Sequence, residues 1–305
     1  MADPTPPVDL DLRLVRCFTV LAEHRHFGRA ATELHLTQPS LSRQIRRLER
    51  DLGARLVDRT PQGSRLTEAG EEFLPLAKAL LRSGAQAVAR THAAARPSRI
   101  VVGYVTGLIV TPAVRELRRL RPDADVQPVH LYFSEARQAL LDHRVDAVVC
   151  RLPFPTDRLH VTVLYDEPRV VVVPKDHRLA GKESVTLDDI ADEPFPRIRD
   201  ADPEWHAYWR LEPRPGGRRA PDGPYIDHLE DKFEVVAAGE AVAVSAGSHG
   251  KALRPDLTTI PLEGVEPSHV VLATRAEDRS RLVADFRKCA QSHLTRPPQA
   301  AAGPE

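Results

Sequence analysis

The sequence predicts an α+β multidomain protein: a mainly helical N-terminal domain, a long linker helix and a larger α/β region. Two patterns predict it. Up to about residue 92 apolar residues recur at helical spacing, and from Ile100 onward short apolar runs alternate with helical segments. The length of 305 residues also exceeds what one small core serves and suggests about two domains.

Asp11 to His24 reads as an amphipathic helix, with Leu14, Val15, Phe18, Leu21 and Ala22 on one face and Asp9 or Asp11 available as cap. A short helix from Gly28 to Leu34 is rich in alanine, which lets a neighbouring backbone approach. His35-Leu36-Thr37 then breaks it. Thr37 can cap a third helix and Pro39 falls in its first turn, where the missing N–H costs nothing. Leu41, Ile45 and Leu48 form its buried stripe, so Gln38, Ser40, Ser42, Arg43, Arg46 and Arg47 face elsewhere. Gly53 closes the helix, and a hairpin-like turn carries Arg59, Thr60, Gly63 and Arg65.

Net charge is zero, so affinity for nucleic acid must be local. Gln38 to Arg65 holds seven Arg against three acids, Glu49, Asp51 and Asp58. Gln pairs bidentately with adenine, Arg with guanine or phosphate, and hydroxyls with either. A plain helical bundle with a solvated basic face is the bland alternative. The order helix, four-residue turn, Pro-started helix, basic turn is more specific than charge alone.

The segment from about Leu12 to Leu81 resembles the N-terminal winged helix-turn-helix of LysR-type transcriptional regulators. FGRAATELHLTQPSLSRQIRRLERDLGARLVDRT and RLTEAG carry the resemblance. It implies a recognition helix starting at Gln38 or Pro39, with Ser40, Ser42, Arg43 and Arg46 among its contacts to double-stranded DNA, and Arg59 and Thr60 at the wing's contact positions. The sequence departs from the family at His26 and Gly28, where a capping Ser and a Ser or Thr are usual, and at Val57, usually Phe.

From Thr67 a helix is expected to about His92, with Thr67 as cap and Glu68, Glu71 and Glu72 near its positive end. Phe73, Leu76 or Ala77, Leu80 or Leu81, and Ala87 or Val88 repeat near the coiled-coil period. The resemblance implies that this helix pairs two subunits, and that a homotetramer of such dimers binds and bends DNA. Pro75 removes one backbone bond inside it. Ala93 to Ser98 reads as a linker. The expected boundaries are 1–66 for the DNA-binding domain, 67–95 for the linker and dimerisation helix, 96–294 for the α/β domain and 295–305 for a frayed tail.

Beyond the linker, strands Ile100–Val105, Val126–Tyr132 and Val145–Cys150 alternate with helices Leu108–Leu120 and Glu135–His143, which argues for parallel α/β architecture. Strand Arg169–Val173, helices near Leu187–Ala191 and Glu204–Arg210, a Pro/Gly/Arg-rich loop Glu212–Pro224, helix Leu229–Ala238, strands Ala241–Val244, Leu257–Pro261 and His269–Ala273, and helix Arg279–His293 follow. RIVVGYVTG, HRVDAVVCR, VVVPKDHRLA and LDDIADEPF resemble the two-lobed, periplasmic-binding-protein-like (type 2) effector domain of the same family. The resemblance implies lobe crossings near Arg151–Leu159 and Pro267–Val270, with the ligand between the lobes.

Three polar turns after expected strands, Thr106-Gly107, Phe133-Ser134 and Ser245-Ala246-Gly247, offer hydroxyls and backbone N–H groups suited to an anion. Arg151 adds a fork for a carboxylate. By resemblance Thr106, Ser134 and Arg151 match cleft positions, and Arg199 and Asp200 are looser candidates. The bland alternatives are N-capping for the hydroxyls and an inter-lobe salt bridge for Arg151. The expected effector is a small anion, and no cofactor is expected.

Other functions lack their motifs. There is no GxxxxGK, HExxH or GxSxG, so an enzyme is not expected. Ser245 with His249, or His177, His206 and Asp227-His228, are the catalytic and metal alternatives. A solute-binding or adaptor protein using the N-terminal domain as scaffold is the other. Cys17, Cys150 and Cys289 are odd in number and widely spaced, which fits buried thiols in a reducing cytosol rather than a disulfide framework. No apolar run reaches membrane-spanning length and no signal peptide is apparent, so the expectation is a cytoplasmic regulator without membrane contact.

Overall fold

A computed structural model describes residues 9–60, 63–95, 98–199, 201–247 and 253–295. The chain divides into two compact units, residues 1–92 and 93–305.

The first unit packs α1 (Leu12–His24), α2 (Phe27–Glu33) and α3 (Gln38–Leu52) around Phe18, Leu21, Leu41 and Leu48. Each start has its own cap. The Asp11 carboxylate accepts the Arg13 N–H, and the Thr37 hydroxyl accepts that of Ser40. His26, standing where the family usually has Ser, caps α2 through Nδ1, which accepts the N–H groups of Gly28 and Arg29 at 3.1 and 3.3 Å. Gly53 ends α3 in the left-handed conformation, φ 68°. Strands β1 (Val57–Thr60) and β2 (Gly63–Leu66) form an antiparallel hairpin.

Helix α4 runs from Glu68 to Ala95, with Pro75 inside it. It consumes part of the stretch read as a linker, since Ala93-Ala94-Ala95 favours helix over loop. Phe73, Leu74 and Leu81 pack on the first unit's core, and Ala77 is buried in it. Gly70 permits this seat: a Cβ there would lie 2.1 Å from the Leu56 carbonyl oxygen.

The second unit has two lobes. The first holds β3 (Arg99–Val105), α5 (Thr111–Leu120), β4 (Asp125–Leu131), α6 (Ala136–Leu141), β5 (Ala147–Arg151) and β6 (Leu159–Glu167). The second holds β7 (Arg169–Pro174), β8 (Phe195–Ile198), α7 (Pro203–Trp209), β9 (Asp222–Ile226), α8 (Lys232–Ala237), β10 (Ala243–Ala246) and β11 (Leu257–Pro261). The chain then returns with β12 (Ser268–Arg275) and α9 (Arg281–His293) to the first lobe, whose sheet order is β4-β3-β5-β12-β6.

Four expectations need correction. Among the described strands, parallel pairing joins β3 to β4 and β5, and β8 to β9. β12 runs antiparallel to β5 and β6, and the second lobe's β10-β7-β11 sheet is antiparallel throughout. Strands β6, β8 and β9 were not expected. The first crossing lies at Pro168, between β6 and β7, rather than at 151–159, because β6 is still an edge strand of the first sheet. Leu187–Ala191 forms turns, not a helix: the Asp189 carboxylate captures the Thr186 N–H and hydroxyl, at 2.8 and 3.0 Å, and the Lys182 amine. Of the expected tail, residues 296–305 lie outside the described residues. Among the described residues no helix is long and apolar enough to cross a membrane.

Candidate functional site

On the first unit, burial of Leu41, Ile45 and Leu48 turns the other side of α3 outward. Gln38, Pro39, Arg43, Arg46 and Arg47 are exposed, and Ser40 and Ser42 are half-buried. Arg47 reaches Asp51 only at 3.9 Å, and among the described residues neither Arg43 nor Arg46 pairs with a carboxylate. The hairpin is tied to this helix by Glu49, whose Oε1 accepts the N–H groups of Leu56 and Val57 at 2.9 and 3.2 Å. It is tied to the α1–α2 corner by the Ser64 N–H, which donates to the Arg25 carbonyl at 2.9 Å. Arg59 and Thr60 lie on β1, with side chains outside those described.

On the second unit, a cavity of about 430 Å³ opens between the lobes. Thr106, Ser134, Arg151 and Ser245 line it; Gly107 and Arg199 do not. Gly107 is an exposed turn residue, and Arg199 is drawn to Asp227 at 2.8 Å on the surface. Asp200 and His249 lie outside the described residues. Neither lining hydroxyl of the first lobe caps an α-helix: Thr106 Oγ1 meets His130 Nε2 at 3.1 Å, and Ser134 is exposed within a 3-10 turn. Ser245 is not in a turn, because β10 extends through Ala246; it is buried in mid-strand.

Arg151 donates from Nε to the fully buried Glu167 at 2.9 Å and from Nη1 to the Thr106 carbonyl at 2.9 Å. The pair lies within the first lobe, on β5 and β6, rather than between lobes. Arg210, also lining the cavity, is held by Glu212 at 3.0 Å, Asp222 at 2.8 Å and the carbonyls of Phe195 and Ala220.

Lys232 is different. Its side chain is buried against the cavity, its amine donates to the Ser245 hydroxyl at 3.3 Å, and among the described residues no carboxylate pairs with it. Burial, reinforced by the Arg151 charge, pushes that amine down to about 8. Burial, and after it the Arg210 charge, lower the His206 imidazole. Burial pushes the cavity-lining Cys150 thiol up to about 12 and raises Cys17 and Cys289 too, so these are poor nucleophiles. Among the described residues no group of three or more His, Cys, Asp or Glu is placed to hold a metal ion. His177 sits 3.5 Å from Glu193, and the His228 ring meets the Tyr132 hydroxyl.

Comparison with known proteins joins the two units. Residues 12–71 match the model of the bacterial regulatory helix-turn-helix protein, lysR family, and residues 96–295 match that of the LysR substrate binding domain. The chain belongs to the LysR family. The transcriptional regulator AlsR of Bacillus subtilis is 29% identical over 96% of this chain and all of its own. The transcriptional regulator CatR of Pseudomonas putida is 30% identical over 90% of this chain and 96% of its own. The solved structure of CbnR, a LysR family transcriptional regulator, shares the fold at 21% identity with a TM-score of 0.61, covering 93% of this chain and 99% of that one.

As a LysR-family member the chain is a DNA-binding transcription regulator with an effector-binding domain, not an enzyme. Sequence reasoning missed Lys232, Arg210 and the aromatic wall of the cavity. Two signals pointed there: Lys232 shares a helical face with the apolar Val236 four residues on, and the chain's two tryptophans, Trp205 and Trp209, stand four apart on one helix.

Proposed function

We propose that α3 reads the operator through Gln38, Pro39, Ser40, Ser42, Arg43 and Arg46, that Arg59 and Thr60 grip the backbone, and that a small anionic effector between the lobes governs occupancy. The single observation carrying this reading is the outward face of α3. It presents Gln38, Arg43 and Arg46 together, and among the described residues no carboxylate neutralises either arginine. A regulator of this kind works in the cytoplasm, where its DNA is.

The exposed apolar residues of α4, Leu76, Leu80 and Val88, follow one another at four-residue multiples and support pairing of two copies through this helix. Pairs of such dimers would give the homotetramer. Two α3 helices on a dimer match half-sites about one turn of DNA apart. Effector binding that favours one arrangement of the subunits shifts a population and needs no chemistry.

Gel shift against the region upstream of the adjacent divergent gene tests the DNA reading. Arg43→Ala should weaken specific binding by about 1–3 kcal/mol while leaving nonspecific binding nearly intact. Unchanged specific affinity would remove α3 from base recognition.

A further inference from the structure

Among the described residues, all but one of the Arg and Lys side chains lining the inter-lobe cavity have a carboxylate partner, and the lining carboxylate Asp202 is exposed and caps α7. Arg151 is matched by Glu167, Arg210 by Glu212 and Asp222, and Arg137 by Asp157 at 2.6 Å. Burial and then the Arg210 charge lower the His206 imidazole, which disfavours its charged form. That leaves the Lys232 amine as the deeply buried cation with no carboxylate partner among the described residues, 7% exposed, hydrogen-bonded to the Ser245 hydroxyl and 5.0 Å from the Phe233 ring centroid. A buried charge left in that state is costly, and a ligand bringing one negative charge removes the cost. A dianion would leave its second charge uncompensated in the same low-dielectric space.

The walls specify the rest of the ligand. Phe133 of the first lobe stacks on Trp205 of the second, with ring centroids 4.2 Å apart and planes inclined by 24°, and Trp209 stands 6.1 Å from Trp205. All three line the cavity together with Phe154. Aromatic faces and edges of this kind reward a flat ring over a puckered one. Trp209 Nε1 and Arg137 Nε are buried donors without an acceptor among the described residues, so an oxygen substituent on the ring also has partners available.

We propose that the cavity takes a planar aromatic monocarboxylate, its carboxylate on Lys232 and Ser245 and its ring against Trp205 and Phe133. The proposal rests on the reading that the effector lies between the lobes. Both of the chain's tryptophans line this cavity, so intrinsic tryptophan fluorescence reports on it selectively.

The test titrates the full chain with benzoate, cyclohexanecarboxylate, acetate, phthalate and benzamide, followed by calorimetry and by tryptophan fluorescence. Benzoate should bind and change the fluorescence, and each of the others should bind about tenfold more weakly or worse. Lys232→Met should weaken benzoate by about tenfold to a hundredfold, and Trp205→Leu should erase the preference for benzoate over cyclohexanecarboxylate. Ser245→Ala, which removes only a hydroxyl, serves if Lys232→Met does not fold. Benzamide or phthalate binding as tightly as benzoate, an unaffected Lys232→Met, or benzoate giving neither binding heat nor a fluorescence change would overturn the ligand class. Calorimetric binding that leaves both tryptophans silent would instead remove the effector from between the lobes.

Discussion

Lys232 is protonated in the fold at neutral pH at a cost the unfolded chain does not bear. The groups facing it are Arg151, which opposes its charge, and Glu230, which favours it, and burial outweighs both. With an amine lowered to about 8 against an ordinary value near 10.4, the unfolded chain holds a proton between those limits that the fold has released. Stability from this group therefore rises with pH across that window, by on the order of 3 kcal/mol, and the full penalty stands below pH 8. Lys232→Met should accordingly melt higher than the parent at pH 7. The difference should shrink as denaturation is repeated from pH 8 to pH 10, and an equal gap at both ends would mean that the penalty is not electrostatic. At this scale the sequence exposed the polar candidates Thr106, Ser134 and Arg151 but not their pairing. Glu167 lies sixteen residues from Arg151, and only the sheet brings them to 2.9 Å.

Leu56 shows how one short element can be fixed from several sides. Its N–H donates to Glu49, its carbonyl accepts the Thr67 N–H at 3.0 Å, and Gly70 leaves room for that carbonyl against α4. The Thr67 hydroxyl adds a bond of 2.6 Å to the Arg55 carbonyl. Glu49→Ala should therefore cost about 1–3 kcal/mol and speed hydrogen exchange at the Leu56 and Val57 amides while α1 stays protected. Uniformly faster exchange across the unit would show that Glu49 serves the core rather than the hairpin. Elements with a buried stripe and a cap, such as α1 and α3, were legible in the sequence because spacing and capping agree. β6 was not, since an edge strand reading LHVTVLYDE mixes half-buried polar and apolar positions. The four- and five-residue strands β8 and β9 hide between prolines, and their pairing is long-range.

For the whole molecule, the proposed pairing through α4 would hold two copies of α3 at a set spacing. Leu76 is 61% exposed, Leu80 38% and Val88 57%, an apolar row with no cover in a single chain. The double variant Leu76→Glu, Leu80→Glu should sediment as a smaller species and lose operator affinity by far more than tenfold, because each half-site then binds alone. Retention of the parent's sedimentation would place the subunit contact elsewhere. The two-unit division was legible from the change in hydrophobic rhythm near residue 95. The interleaving of the lobes was not, because strand order is set by contacts far apart in sequence. That interleaving also orders events during synthesis. The second lobe's sheet is complete once β11 has emerged, whereas the first lobe waits for β12, which sits between β5 and β6. A nascent chain emerging N-terminus first thus finishes its inserted lobe while the enclosing one still lacks an interior strand. Until Arg275 clears the ribosome, β5 and β6 keep unpaired edges that invite wrong partners.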